Sequence, residues 1–228
     1  MKKYYLKHLL LIIAVSMHLL ASAQVSTYLK SRSYGASLSL ATNGVGLEAS
    51  MSLNESKSFV LRANGMYLPL SYSNYQMAFG KTNVIIDING KLGSTGLYLD
   101  YHPFKNIFKI TGGVAYLFSG IGGTAKVKDA VSQGQIVISP ENVGIITFDV
   151  APNNICPYIG LGVGRAIPKS RVGFSADLGV YYIGSPLVNF KATKMLEPTS
   201  DQQAVIQNNM DGDRWLPQLT FNITYRIK

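Results

Sequence analysis

The stretch Ser94–Gly120, STGLYLDYHPFKNIFKITGGVAYLFSG, decides the fold. Leu97, Leu99 and Tyr101 fall on one side of a two-residue repeat; Tyr98, Asp100 and His102 fall on the other. A short break follows at Pro103-Phe104-Lys105-Asn106. Alternation then resumes, with Phe108, Ile110, Val114, Tyr116 and Phe118 opposite Lys109, Thr111, Gly113 and Ala115. A period of two is that of a strand, and two such runs about a tight turn are a hairpin. The apolar side is rich in aromatics and the other carries charge and glycine. That pattern fits strands with lipid outside and a polar lumen inside.

The same alternation runs outward from this hairpin in both directions. Arg32 to Ala41 sets Tyr34, Ala36, Leu38 and Leu40 against Ser33, Gly35, Ser37 and Ser39. Past Thr42-Asn43-Gly44, a turn signal, Val45, Leu47, Ala49, Met51 and Leu53 oppose Gly46, Glu48, Ser50 and Ser52. Residues 34–53 are one kinked strand or two, and an even strand count favours two. After the polar turn 54–57, Phe59, Leu61, Ala63 and Tyr67 face out while Arg62 and Asn64 face in. Pro69 is expected to end regular pairing and 71–81 to be a loop. Residues 82–103 are one long strand or two broken at Asn89-Gly90; we read one strand that projects beyond a bilayer. A fifth strand spans Ile107 to about Val127, and a polar loop 128–141. A sixth strand starts near Val143, is disturbed at 151–154 and resumes over 157–164. The seventh, Val172–Tyr182, sets Ser175, Asp177, Gly179 and Tyr181 inward. The connection 185–216 has room for a short helix over 199–210, and Trp215 suits an interfacial belt. The last strand alternates Leu219, Phe221, Ile223, Tyr225 and Ile227 with Gln218, Thr220, Asn222, Thr224 and Arg226, and suits closure against the first.

The turns at 54–57, 103–106 and 168–171 are tight and fall after every second strand; 71–81, 128–141 and 185–216 are longer. An outer-membrane barrel has such parity, with short periplasmic turns and longer outer loops. Mean hydropathy is +0.14, yet beyond the N-terminus no apolar run reaches helix-spanning length. A membrane chain without spanning helices must close its strands into a barrel. The expectation is an all-β, eight-stranded antiparallel transmembrane barrel over 24–228.

Residues 1–23 read as a signal peptide. Lys2, Lys3 and Lys7 precede the apolar run Leu9–Leu20, and Ala21-Ser22-Ala23 fits the cleavage rule. The formal charge of +9 falls to about +6 without those lysines. The positive residues are scattered rather than striped, and exported chains rarely meet nucleic acid, so anionic lipid and lipopolysaccharide are the expected partners. The lone Cys156 permits no internal disulfide and reads as a buried or half-buried thiol with nothing nearby to make it reactive.

Four segments resemble the small, OmpW-like outer-membrane barrels of Gram-negative bacteria: Asp100-Tyr101-His102-Pro103-Phe104; Phe108-Lys109-Ile110-Thr111-Gly112-Gly113; Pro157 to Gly164; and Phe174 to Val180. The ordered set covers about half of the mature chain. It departs from that family at Asn106-Ile107, where glycine is usual, and at Ile227-Lys228, where phenylalanine is. The resemblance implies an eight-stranded outer-membrane barrel, assembled by the barrel-assembly machinery, with no established activity.

Chemistry-bearing residues are few. His102 is the only histidine after the signal segment, without a second metal ligand or an assignable serine. Gly120-Ile121-Gly122-Gly123 lacks the lysine and helix of a phosphate loop. No cofactor or metal is implied. The inward charges Glu48, Arg62, Asp100, Lys109, Arg171 and Asp177 are expected to pair into a structural polar core, since eight strands enclose a lumen that side chains fill. The expected function is non-enzymatic: a monomer that supports the envelope or passes small apolar molecules. The alternative is a lipid-active enzyme that modifies lipid A or hydrolyses phospholipid.

Overall fold

The computed structural model describes residues 32–80, 82–104, 106–133 and 135–228. The signal-peptide reading of 1–23 lies outside the described residues. The strands are β1 (Tyr34–Ala41), β2 (Gly44–Ser52), β3 (Phe59–Phe79), β4 (Thr82–Tyr101), β5 (Phe108–Leu117), β6 (Gly120–Val127), β7 (Val131–Gln133), β8 (Ile136–Ile138), β9 (Ile145–Ala151), β10 (Ile155–Gly164), β11 (Val172–Tyr182), β12 (Leu187–Ala192) and β13 (Trp215–Arg226). A one-turn helix α1 (Pro140–Val143), a 3-10 helix (Lys194–Gln202) and α2 (Gln203–Met210) complete the chain. No described helix is long and apolar enough to cross a membrane, which says nothing against crossing by strands.

All pairings are antiparallel. From β4 the order runs β3-β2-β1-β13-β11-β10-β5, and β5 pairs again with β4, so the sequence of neighbours closes on itself. The last strand does pair with the first, Leu38 opposite Ile223. Thirteen strands are described where eight were expected. Five of them, β6 to β9 and β12, stand outside the ring. β6 continues β5 after Phe118-Ser119, and β9 precedes β10 across 152–154, so each expected long strand is present but broken. Register survives the break: Ser94 faces Leu117 and Lys91 faces Gly120. These upper segments form the extension β3-β4-β6-β9-β12, one flank of the ring carried onward.

All three of the longer expected loops contain regular structure. Pro69 does not end pairing: it faces Lys91, and β3 runs through 71–79, with an irregularity between Tyr72 and Tyr75 where Asn74 has φ 59°. Pro69 is tolerated because β3 has already lost its other neighbour, β2, at the Val45–Tyr67 pair. The 128–141 loop holds the β7–β8 hairpin and the start of α1. In 185–216 a strand, β12, precedes the helices, and α2 covers 203–210 of the expected 199–210. Residues 34–53 are two strands joined by Thr42-Asn43, and 82–101 is one.

Within the ring the polarity is inside out. Ser37, Ser39, Glu48, Ser50, Arg62, Asp100, Lys109, Thr111, Asp177, Asn222 and Thr224 are buried, whereas Leu47 (69% exposed), Leu97, Ile159, Leu161, Phe174 and Phe221 are on the exterior. Each exterior side chain forgoes about 1.5–3 kcal/mol of burial in water; lipid removes that cost. Aromatics cluster at both ends of the belt. Phe59 stacks on Tyr101 at 4.9 Å at one end, and Tyr67–Phe118 and Tyr182–Trp215 pair at 6.4 and 5.1 Å at the other.

Candidate functional site: a closed lumen beneath an apolar face

Three layers fill the ring. At the end with tight turns, Ala166, Ile167 and Pro168 of the β10–β11 connection tuck inward, and Ala166 and Ile167 bury against Val60. Ser50 Oγ donates to the Ala166 carbonyl at 3.1 Å, which fixes that plug.

Above it lies a charged layer. The Arg62 guanidinium grips Asp100 with two nitrogens, Nε to Oδ2 at 2.8 Å and Nη2 to Oδ1 at 2.9 Å. Its Nη1 reaches Glu48 Oε2 at 2.8 Å and Asp177 Oδ2 at 3.6 Å. Lys109 Nζ bridges Asp177 Oδ1 at 2.8 Å and Asp100 Oδ2 at 3.3 Å. Thr111 Oγ1 donates to Asp100 and Asn222 Nδ2 to Asp177. The layer thus laces β2, β3, β4, β5, β11 and β13 together. Room for it comes from β10. A Cβ on Gly162 would sit 2.3 Å from Asp177 Oδ1 and 2.7 Å from Lys109 Cε, so any larger residue would have to displace the ion-paired ends of Asp177 and Lys109.

Five of the six expected lumen charges thus meet. Arg171 does not: it is exposed in the turn before β11, past the end of the ladder. The layer therefore holds three carboxylates against two cations rather than a balanced set. The misreading has a physical cause, since alternation stops assigning faces once a strand has ended.

The third layer is aromatic and was not singled out from the sequence. Tyr98 and Tyr181 share a hydroxyl–hydroxyl bond of 2.9 Å, and Tyr158 packs on both at 5.2 and 4.9 Å between ring centres. Arg62 lies 5.7 Å from the Tyr98 ring centre, which joins the two layers. Leu117, Cys156 and Ile183 complete the layer. The Cys156 thiol is buried and donates to the Asn153 carbonyl at 3.1 Å. Asn43, Ser94 and Gln218 then hydrogen-bond in a chain at 2.8 and 3.1 Å. The gap between the charged and aromatic layers, lined by Arg62, Tyr98, Tyr158 and Asp177, is about 10 Å³, roughly one water molecule.

His102 sits by the plug, buried, with Nδ1 3.0 Å from the Phe108 carbonyl. Burial holds its imidazole below the ordinary value. Among the described residues no hydroxyl is hydrogen-bonded to it, and no group of three metal-ligating side chains occurs.

Above the ring the polarity reverses within a single strand. In β4 the inward row is Ser94, Tyr98 and Asp100 below Gly93, but Val84, Ile86, Ile88 and Leu92 above it. The outward row largely does the opposite: Leu97, Leu99 and Tyr101 below Thr95, then Asn83, Asp87, Asn89 and Lys91 above, with Ile85 the apolar exception. Register carries the inner row across the extension. Ile86 faces Ala125, Ala125 faces Ile146, and Ile146 faces Ala192; Ile88, Gly123, Phe148 and Phe190 form the next row. The exchange of polar and apolar rows therefore falls on β4 near Gly93. The extension presents a half-buried apolar inner face above a closed floor. Its β12 edge is capped, with Val188 N–H bonded to Gln207 Oε1 and Ala192 N–H to Ser200 Oγ at 2.9 Å each. Its β3 edge beyond Tyr67 has no strand partner among the described residues.

A closed antiparallel ladder with charge inside and an aromatic-edged apolar belt outside has the fold of an outer-membrane β-barrel protein, and the solved structures it resembles are such proteins. One is CarO of Acinetobacter baumannii, 21% identical, matched over 84% of this chain and 96% of that one with a TM-score of 0.56. CarO2 of the same organism is 21% identical over 85% and 98%, with a TM-score of 0.58. A major outer membrane protein of Thermus thermophilus aligns over 86% of this chain and 99% of that one, at 12% identity and a TM-score of 0.42. No protein-family model and no curated protein sequence matches. Identities this low speak to fold alone.

Proposed function

We propose that this chain is an eight-stranded outer-membrane barrel without enzymatic activity, whose outward extension receives small apolar molecules. The polarity reversal along β4 carries the reading: the same strand is built for lipid below Gly93 and for an apolar occupant above it. The aromatic and charged layers leave a gap of about 10 Å³, too narrow for a solute to descend. Cargo would instead leave sideways at the foot of the unpartnered β3 edge, where its pairing with β2 ends at Tyr67 and the apolar belt begins. The layers beneath act as a structural core. Neither OmpW-like membership nor a particular cargo is needed for this account.

The test uses the full chain in nanodiscs with N-phenyl-1-naphthylamine as an apolar fluorescent probe. The native chain should enhance its emission in a saturable way, and Ile86→Asp with Phe148→Asp should abolish the saturable part while heat-modifiable gel migration persists. Equal enhancement in native and variant chains would reject the receptacle. The enzyme alternative is tested by incubating the protein with phospholipid and lipopolysaccharide. Both should be unchanged by mass spectrometry; turnover that is lost in His102→Ala would make it an enzyme.

A further inference from the structure

The end with tight turns is predominantly cationic. Lys57, Arg165, Lys169, Arg171, Arg226 and Lys228 all lie there, and Glu55 is the acid among the described residues of those turns. They are close in space. Arg226 Nη1 donates to the Pro168 carbonyl at 3.4 Å and also to that of Lys169, and its backbone N–H donates to the Arg171 carbonyl at 2.7 Å. Burial, and after it the neighbouring Arg226 and Arg165, holds the Lys57 ammonium below its ordinary value. The opposite end has lysines as well, but Asp87, Asp129, Glu141 and Asp149 are interspersed among them.

Beside this cluster is a surface pocket of about 500 Å³, lined by Ile107, Arg165, Pro168, Lys169 and Phe174. Ile107 and Phe174 are 62% and 72% exposed, and Phe174 is on the outward row of β11. The pocket therefore has a cationic wall at the boundary and an apolar wall running down the lipid-facing surface. That pairing matches one molecule in both its parts, a phosphate headgroup joined to acyl chains. Clustered Lys and Arg at such a boundary attract anionic headgroups within a Debye length.

We propose that the pocket between the β10–β11 turn and the β4–β5 turn is a binding site for an anionic phospholipid of the inner leaflet. The proposal rests on the barrel reading above and on the tight turns facing the periplasm. A bound phospholipid would tie the plugged end to the leaflet beside it and fix the depth of the barrel.

Electron spin resonance on the full chain in phosphatidylcholine nanodiscs tests it, with spin-labelled phosphatidylglycerol and spin-labelled phosphatidylcholine as probes. The immobilised fraction should favour phosphatidylglycerol severalfold. The preference should fall towards unity at high salt and in the double variant Lys169→Glu with Arg171→Glu. It should be unchanged in Lys126→Glu at the other end. No preference in the native chain, a preference indifferent to salt, or equal loss in Lys126→Glu would overturn the site. Retention on isolated peptidoglycan, lost in the double variant and without a lipid preference, would overturn it in favour of the cell wall. The salt response needs no variant, so it decides even if a substitution fails to fold. Heat-modifiable migration of the native chain is read separately; its absence would sink the barrel reading rather than the lipid site.

Discussion

Arg62 is the residue on which the lumen turns. It faces three carboxylates, and its two-nitrogen grip on Asp100 is a geometry that lysine lacks. Arg62→Ala leaves three buried acids with only Lys109, and breaking a buried pair by removing one partner costs about 3–5 kcal/mol. Arg171→Ala, at an exposed turn position, should change stability by no more than about 0.5 kcal/mol. Urea unfolding in lipid vesicles measures both. Equal effects would mean that Arg62 is not embedded as described. Gly162→Ala gives a second test here, because the added methyl would drive into Asp177 and Lys109; it should destabilise the fold although the change is a single carbon.

The face of each ring strand was legible in the sequence because burial there has a period of two: Glu48, Arg62, Asp100, Lys109 and Asp177 all fall on the buried row. Three things were not. Arg171 lies past the end of its strand, where parity has no meaning. The tyrosine layer draws Tyr98, Tyr158 and Tyr181 from three strands, and nothing in one strand's pattern says that their rings meet. The apolar inner face of the extension was present as the change of row at Gly93, but Pro69 hid the continuation of β3, and the broken β5–β6 and β9–β10 strands disguised the sheet that carries it. At this scale the boundary itself can be tested. Leu97→Arg, on the outer row below Gly93, should cost about 2–4 kcal/mol if it lies near the midplane. Thr147→Arg, on the outer face of the extension, should cost no more than about 0.5 kcal/mol. Similar costs at both positions would place the extension in the same medium as the belt.

For the whole molecule, topology sorts the connections into two ends. The turns at 54–57, 103–106 and 168–171 share one end, and the extension with its helices stands at the other. Cysteines introduced at Ser73 or Gln203 should label with an impermeant maleimide on intact cells, and those at Ser56 or Ser170 should not. The reverse pattern would invert the molecule and turn its basic end towards lipopolysaccharide. The fold alone does not decide whether such a molecule conducts, since wider rings leave an aqueous channel and an eight-stranded one is just filled by side chains. Here Arg62, Lys109 and three tyrosines occupy the axis.

Planar-bilayer recording of the purified full chain is the most direct measurement of that closed lumen. The account predicts no steady conductance steps in the native protein over the usual voltage range. Sustained, ion-selective openings in the native chain would contradict it, because ions cannot pass a lumen closed by the charged and tyrosine layers.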